Sequence, residues 1–367
     1  MTDQDYMGLA LELAERGRGY VNPNPMVGAV VVKDGRIIGK GYHQRYGELH
    51  AERNALADCS ESAEGATIYV TLEPCCHYGK TPPCTDAIIE NKIARVVVGS
   101  SDPNPLVAGK GIRILREHGI QVDEHVREAE CLALNRVFFH YIQTGTPYVV
   151  MKYAMTLDGK IATVTGASRW ITGEAARERV HESRHAYRGI MAGVGTVLAD
   201  DPMLNCRLPG RRSPVRIVCD THLRTPPAAQ LVRTAGEYET ILATSCADEA
   251  AASPYREAGC KVLVLPEENG HICLPELMRQ VGKEGIDSIL LEGGGTLNWS
   301  MLSAGLVHRV QAYVSPKLFG GREAPGPVGG AGVALPAEAV HLTNLQITPV
   351  GEDLCIEGEV VPCSPES

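Results

Sequence analysis

The sequence predicts two α/β domains in tandem, and three observations predict it. At 367 residues the chain exceeds what one hydrophobic core usually organises. Short apolar runs alternate with segments of helical spacing in both halves, the pattern of sheets covered by helices. Between the halves, Gly145-Thr146-Pro147 ends a long helical segment just before the apolar run that opens at Tyr148. The predicted domains are therefore residues 1–146 and 147–367.

Composition narrows the function classes. Apolar residues make up 44% of the chain and charged residues 22%, and the formal net charge is −9 with Lys and Arg scattered. That distribution excludes a broad electrostatic footprint for nucleic acid or an anionic membrane, while leaving room for a local basic site that takes a phosphorylated small molecule. The first seven residues lack the basic and apolar regions of a signal peptide, and no apolar run is long enough to span a bilayer, so a cytosolic protein is expected. In that reducing setting the 12 cysteines are not a disulfide scaffold. Clustered ones read as metal ligands; Cys59, Cys131, Cys219, Cys246, Cys260, Cys273, Cys355 and Cys363 read as small buried hydrophobes.

In the first half, residues 6–16 have amphipathic helical spacing and Asn22-Pro-Asn-Pro25 is a loop. Residues 26–32 and 37–41 form two strands joined by a tight Asp34-Gly35 turn. Residues 50–58 are helical, which puts His50 and Glu52 in one first turn, beside the free N–H groups and positive potential of a helix N-terminus. A strand at 66–72 runs into Thr71-Leu-Glu-Pro-Cys-Cys-His-Tyr-Gly-Lys-Thr-Pro-Pro-Cys84; a helix at 84–91 and a strand at 94–99 follow. Beyond them come a helix at 109–118, a short strand and a long helix at 127–144. The order predicts a mixed sheet with helices on both faces and the site where strand ends meet helix starts.

His50, Cys75 and Cys84 supply one imidazole and two thiols, three zinc ligands that leave a fourth position for water. Glu52, two residues from the imidazole, is the non-ligand acid/base that a zinc deaminase needs. Zinc lowers the pKa of water to about 7; Glu52 would take the water's proton, protonate the ring nitrogen and help ammonia leave. A structural zinc site would use four protein ligands, with Cys76 available as the fourth. Adjacent cysteines rarely both reach one tetrahedral metal, however, and such a site gives Glu52 no role. His43 and His77 are weaker alternative ligands.

His50-Ala-Glu52 followed by Pro74-Cys75 resembles the cytidine-deaminase-like superfamily, whose second cysteine commonly follows after two residues. Here the spacing is Cys75-x8-Cys84. That insert, with Asn22-Pro-Asn-Pro-Met-Val-Gly28 and Asp102-Pro-Asn-Pro-Leu-Val-Ala-Gly109, resembles the bifunctional riboflavin-biosynthesis deaminase/reductase family, and the match spans nearly the whole chain. The resemblance implies deamination of 2,5-diamino-6-(5-phosphoribosylamino)pyrimidin-4-one to 5-amino-6-(5-phosphoribosylamino)uracil. It also implies a substrate pocket lined by Asn24, His43, His77 and Lys80. Asn24 can donate and accept along a pyrimidine edge, and His77 and Lys80 can meet a ribosyl phosphate. Cys76 stands where the family commonly has Ser.

The second half predicts strands at 148–154, 189–193, 215–220, 240–244, 261–265, 288–292 and 310–315, with closing strands at 345–350 and 354–360, in a largely buried sheet. Helices are predicted at 174–187, 274–281 and 296–304; residues 320–334, rich in Gly and Pro, read as a loop without chemistry. Glu292-Gly-Gly-Gly-Thr296 falls at a strand-to-helix junction, where glycines bring backbone N–H groups close to a phosphate. By itself this pattern fits a plain tight turn equally well, as does Gly193-Val-Gly-Thr196.

Lys152-Tyr-Ala-Met-Thr-Leu-Asp-Gly-Lys160, Ser168-Arg-Trp-Ile-Thr172 and the run from Thr196 to Arg207 resemble the dihydrofolate-reductase-like α/β domain that follows the deaminase in the same family. The implied reaction is NADPH-dependent reduction of the ribosyl side chain to ribityl, with hydride delivered to C1′. By the family pattern Ala154, Trp170, Thr196, Asp200, Gly293, Gly294, Gly295 and Thr296 lie along the cofactor. Ser168, Arg184, Leu204, Arg207 and Glu292 lie nearer the substrate, where the two guanidinium groups suit a phosphate. Lys152 and Asp200 are the candidates for polar groups at the reacting centre, and Arg224 for the NADPH 2′-phosphate. A homo-oligomer is expected, since closed sites on α/β domains are often completed by a neighbour. Two other readings compete: an adenosine-type nucleic-acid base deaminase, which calls for a basic face and the two-residue cysteine spacing, and a zinc-stabilised binding module, which has no need of Glu52.

Overall fold

The computed structural model describes residues 1–79, 81–104 and 107–361. Its contacts separate two units, Met1–Gly145 and Thr146–Ser367.

In the first unit, Thr2 and Asp5 close a reciprocal cap that starts α1 (Asp3–Glu15). β1 (Gly28–Lys33) and β2 (Arg36–Tyr42) form the expected hairpin. Its turn residues Asp34 and Gly35 have φ of 50° and 75°, the left-handed pair a tight hairpin requires. Then follow α2 (Ala51–Ala57), β3 (Thr67–Leu72), α3 (Cys84–Glu90), β4 (Arg95–Ser100), α4 (Lys110–Glu117), β5 (Gln121–Asp123), α5 (Glu128–Leu134) and α6 (Arg136–Thr144). The sheet order is β2-β1-β3-β4-β5, with β1 antiparallel to both neighbours and β3, β4 and β5 parallel. Strand periodicity sorts its residues between two cores. Ala29, Val31, Ile68, Val70, Val96 and Val98 pack against α2, α3, α4 and α6, while Val30, Val32, Tyr69 and Val97 pack against α1 and α5.

The single helix expected over 127–144 is two helices. Asn135, 1% exposed, breaks it by accepting from the Met26 N–H at 2.8 Å and donating to the Met26 carbonyl at 2.9 Å. The apolar spacing continues through the break, so periodicity carries no sign of it.

The second unit contains β6 (Tyr148–Thr156), α7 (Glu174–Ala186), β7 (Gly189–Gly193), α8 (Val194–Asp200), β8 (Val215–Cys219), α9 (Gln230–Arg233), β9 (Thr240–Thr244), α10 (Glu249–Glu257) and β10 (Lys261–Val264). It continues with β11 (Glu267–Glu268), β12 (His271–Ile272), α11 (Leu274–Lys283), β13 (Ser288–Leu291), α12 (Gly295–Ser303), β14 (Arg309–Ser315), β15 (Leu342–Val350) and β16 (Asp353–Val360). The main sheet runs β10-β9-β8-β7-β13-β6-β14-β16-β15, parallel from β10 to β14 and antiparallel beyond. Ile217 and Ile241 face one core, Val218 and Leu242 the other, so the parallel part is covered on both sides.

Three features depart from expectation. Gly193-Val-Gly-Thr196 is not a free glycine turn but the cap and first turn of α8. α10 forms although Pro254 lies inside it. The sheet is not buried throughout: β15 is an edge strand on which Leu345 and Ile347 are 59% and 63% exposed. No helix among the described residues is long and apolar enough to cross a membrane.

Candidate active sites

The first site forms where β3 runs out between two helix starts. His50 is the residue that caps α2, Cys75 follows β3 by three residues, and Cys84 opens α3. The Cys75 carbonyl accepts from the Cys84 N–H at 3.0 Å, folding the insert back on itself. His50 Nδ1 lies 3.4 Å from each of the two Sγ atoms, and all three donor atoms fall within 4.8 Å of one another. With Zn–S of about 2.3 Å and Zn–N of about 2.0 Å, the N–S edge of a tetrahedron is about 3.5 Å, so the donor set fits the ion. The Cys84 thiol, donating to Cys75, pulls the Cys75 thiol down to about 4 against its burial, with His50 adding to the pull. Cys84 is itself pushed up by that bond and by burial.

Glu52, 3% exposed, stands in the first turn of α2. Burial, and then the charge on Cys75, push its carboxyl up to about 7 while His50 draws it down. A divalent cation would strengthen that downward pull.

A cavity of about 260 Å³ opens onto these groups and is lined by Asn24, His43 and His77 among others. His43 Nδ1 meets the Leu49 carbonyl and its Nε2 meets the Asn24 amide nitrogen, both at 3.1 Å. His43 therefore donates through Nδ1 and accepts through Nε2, which leaves the Asn24 carbonyl oxygen to the cavity. The buried His77 Nδ1 has no hydrogen-bond partner. Lys80 lies outside the described residues.

Three further lining residues, Glu73, Asp102 and Asn104, escaped the sequence reading. Glu73, 3% exposed, accepts from the backbone N–H groups of Asp102 (3.4 Å), Gly109 (3.0 Å), Gly111 (3.1 Å) and Ile112 (3.3 Å). A carboxylate at a helix N-terminus is favoured there, and this one ties the Pro74-Cys75 segment to the chain that carries Asp102 into the cavity. Burial raises the Asp102 carboxyl to about 6. The available signal was an acidic residue inside the cysteine motif and an Asx-Pro-Asn-Pro run that repeats the loop at Asn22.

In the second unit, Lys152 on β6, Arg184 on α7 and Glu292 after β13 come together. Glu292 accepts from Arg184 Nε at 2.7 Å and Nη2 at 3.0 Å, and from Lys152 Nζ at 3.4 Å. Burial pushes its carboxyl up, but the two cations outweigh this and hold it at about 2. Ala154 follows Lys152 along β6. Leu204, 3% exposed with φ of 49°, precedes Asn205, whose carbonyl takes Arg184 Nη1 at 3.0 Å. Ser168 donates to Asp200 at 3.5 Å, and Asp200 stands at the exposed end of α8 rather than in the Lys152 cluster. Trp170 is 60% exposed with the Arg177 guanidinium 4.8 Å from its ring centroid. Arg207 contacts His181, and Arg224 is exposed in the loop after β8.

The glycine loop is shaped for a close-lying group. A Cβ on Gly293 would fall 2.7 Å from Asn298 Oδ1 and one on Gly295 3.0 Å from the Gly326 carbonyl, and Gly294 faces Thr196 Oγ1. Asn298 Oδ1 is buried without a partner. A cofactor phosphate would be met here by the backbone N–H groups at the start of α12. Residues 320–334 do form a loop, but it is fastened to this cradle: Asn298 Nδ2 donates to the Pro327 carbonyl at 2.8 Å and the Gly329 N–H to the Gly295 carbonyl at 3.0 Å.

A zinc-type donor triad with a buried carboxylate beside it, followed by a glycine cradle and a buried cation–carboxylate cluster, defines a deaminase joined to a reductase. Residues 1–100 match the cytidine and deoxycytidylate deaminase zinc-binding region, and residues 147–356 match the RibD C-terminal domain. The chain is 54% identical over 361 residues to the riboflavin biosynthesis protein RibD of Actinobacillus pleuropneumoniae, spanning 98% of this chain and 96% of that one. Among solved structures it is similar to RibD of Acinetobacter baumannii (36% identity, TM-score 0.88). It is similar also to a diaminohydroxyphosphoribosylaminopyrimidine deaminase/5-amino-6-(5-phosphoribosylamino)uracil reductase of Thermotoga maritima (38% identity, TM-score 0.87). Each comparison covers 98% of this chain and 99% of the other. The chain belongs to the RibD family of riboflavin biosynthesis proteins. It is a bifunctional enzyme with a zinc-binding deaminase domain and a dihydrofolate-reductase-like domain of the NADPH-dependent type, and the nucleic-acid deaminase reading is not favoured.

Proposed function

We propose that the first domain deaminates 2,5-diamino-6-(5-phosphoribosylamino)pyrimidin-4-one and that the second reduces the ribosyl chain of the resulting aminouracil. The observation that carries this reading is the donor triad of His50 Nδ1, Cys75 Sγ and Cys84 Sγ beside a cavity that His50, Cys75 and the buried Glu52 line. Zinc, held by His50, Cys75 and Cys84, supplies Lewis-acid activation of water at neutral pH. Glu52 takes the proton from that water and passes it to the ring nitrogen and then to the departing amine. Asn24 reads the pyrimidine edge through its free carbonyl, His43 fixes the Asn24 amide, and His77 with Lys80 meets the ribosyl phosphate.

In the second domain Ala154, Trp170, Thr196, Asp200 and the cradle of Gly293, Gly294, Gly295 and Thr296 would hold NADPH, which would supply hydride. Lys152, held by Glu292, is the polar group beside the reacting carbon. Asp200 orients Ser168, while Leu204, Arg184 and Arg207 line the substrate side with Arg207 toward its phosphate. Arg224 takes the cofactor 2′-phosphate; the loop that carries it is fixed by the buried Asp220 carboxylate, which accepts from the Arg224 and Thr225 N–H groups at 2.9 and 2.7 Å. The scattered positive charge supports an enzyme acting on small molecules rather than on nucleic acid.

The test is to incubate the enzyme with the diaminopyrimidine with and without NADPH, following ammonia, nicotinamide absorbance and zinc content. Ammonia should appear without NADPH, and NADPH should be consumed only after deamination. Turnover of transfer RNA with none of the free pyrimidine would overturn the reading. The exposed edge strand β15 supports self-association; sedimentation of the full chain as a monomer at assay concentration would remove that part.

A further inference from the structure

α7 carries Arg177, His181 and Arg184 at spacings of four and three residues, which puts them on one face of the helix. Two of them have partners already described: Arg177 lies over Trp170 and Arg184 holds Glu292. His181 has no part in the reading so far. Its ring meets Arg207 twice, Nε2 with the guanidinium Nε at 3.1 Å and Nδ1 with the backbone N–H at 3.3 Å.

A neutral imidazole accepts at one nitrogen only, so the two contacts compete. With the ring proton on Nδ1, Nε2 accepts from Arg207 Nε in the shorter of the two contacts. Burial, together with the charges of Arg184 and Arg207, pushes the imidazole down to about 4, so it stays a neutral acceptor at working pH. The segment is pinned to the same helix on either side: Cys206 Sγ donates to the His181 carbonyl at 3.2 Å and Arg184 Nη1 to the Asn205 carbonyl at 3.0 Å. No carboxylate among the described residues pairs with the exposed Arg207. A long cation without a counter-ion would spend most of its time in other rotamers. Fastened at Nε by an uncharged group, it keeps its charge and presents its two terminal nitrogens as a fixed fork.

We propose that His181 is a positioning residue of the reductase site, holding the Arg207 guanidinium by its Nε so that the terminal nitrogens receive the substrate phosphate. This rests on the reading of Arg207 as the phosphate-binding group. His181 does not touch the reacting carbon, so it acts on capture of the phosphorylated substrate rather than on hydride transfer.

The experiment compares NADPH oxidation by the full-length enzyme on 5-amino-6-(5-phosphoribosylamino)uracil and on the same compound with its phosphate removed. His181→Ala should raise KM for the phosphorylated compound by about 10-fold, the worth of one hydrogen bond to a charged group. It should leave kcat, and all turnover of the dephosphorylated compound, within about 2-fold of the parent by the same reasoning. His181→Gln, which keeps an acceptor, should recover part of the KM. Equal losses on both compounds, or no change on either, would overturn the proposal. Arg207→Ala separates it from the reading beneath it. If that variant also fails to discriminate between the compounds, the phosphate assignment is what failed; if it discriminates and His181→Ala does not, the positioning role is wrong.

Discussion

Glu52→Gln is expected to lower ammonia release by about 10²- to 10⁴-fold, the usual worth of a general acid/base, with zinc still stoichiometric. The amide is nearly isosteric with the carboxylate and sits in the same buried turn of α2, 3% exposed, so packing is unchanged. What is lost is the proton carrier: an amide can neither take a proton from water nor return one to the ring nitrogen. With His50, Cys75 and Cys84 as the proposed metal donors, zinc content measured on the purified variant should match the parent. Reduction of the already deaminated compound should proceed at the parental rate, since its groups all belong to the second unit. Loss of zinc from the variant would make Glu52 a ligand instead, and retained ammonia release would remove it from the chemistry.

How much of this was legible beforehand depended on the kind of signal. The donor triad was readable because a metal fixes residue types and local spacing together, and His50, Cys75 and Cys84 each sit at an element end that periodicity could place. Lys152, Arg184 and Glu292 were named as separate residues, but their union at one carboxylate was invisible. It depends on β13 lying beside β6, a long-range pairing that no local pattern encodes. Asn135 is the clearer failure. Its amide substitutes for backbone pairing with Met26, 109 residues away, within a helical spacing that continues unbroken. Residues 320–334 lacked any chemical signal because their contribution is backbone carbonyls and N–H groups, which the sequence does not distinguish. His181 lay in plain view at helical spacing from Arg177 and Arg184, a stripe of polar groups on a helix expected to bury one face.

Glu292→Ala should be the most damaging single change in the second unit. It leaves the Arg184 and Lys152 side chains, 15% and 12% exposed, without the carboxylate that balances both. Removing one partner from a buried ion cluster costs about 3–5 kcal/mol, because the remaining charges stay desolvated. The folded-state carboxyl is held at about 2 against an ordinary 4.5, so the stabilisation is fully present above the ordinary value and disappears as pH falls toward 2. That difference is worth about 3 kcal/mol. Urea unfolding should show the C-terminal transition moving to lower denaturant while the zinc-bearing N-terminal transition stays in place, and NADPH oxidation should fall with it. Stability and chemistry can then be separated by the pair Arg184→Met with Glu292→Leu, which removes two of the three charges and leaves only Lys152 unpaired, where Glu292→Ala leaves two cations. Apolar replacement of a buried pair is often neutral or stabilising, so the transition should recover in part, the remaining deficit being that of the unpaired Lys152. Reduction should not, since Lys152 would have lost the group that holds it beside the substrate. Recovery of both would reduce the cluster to a structural device; an unshifted transition in Glu292→Ala would show that its charge is solvated after all.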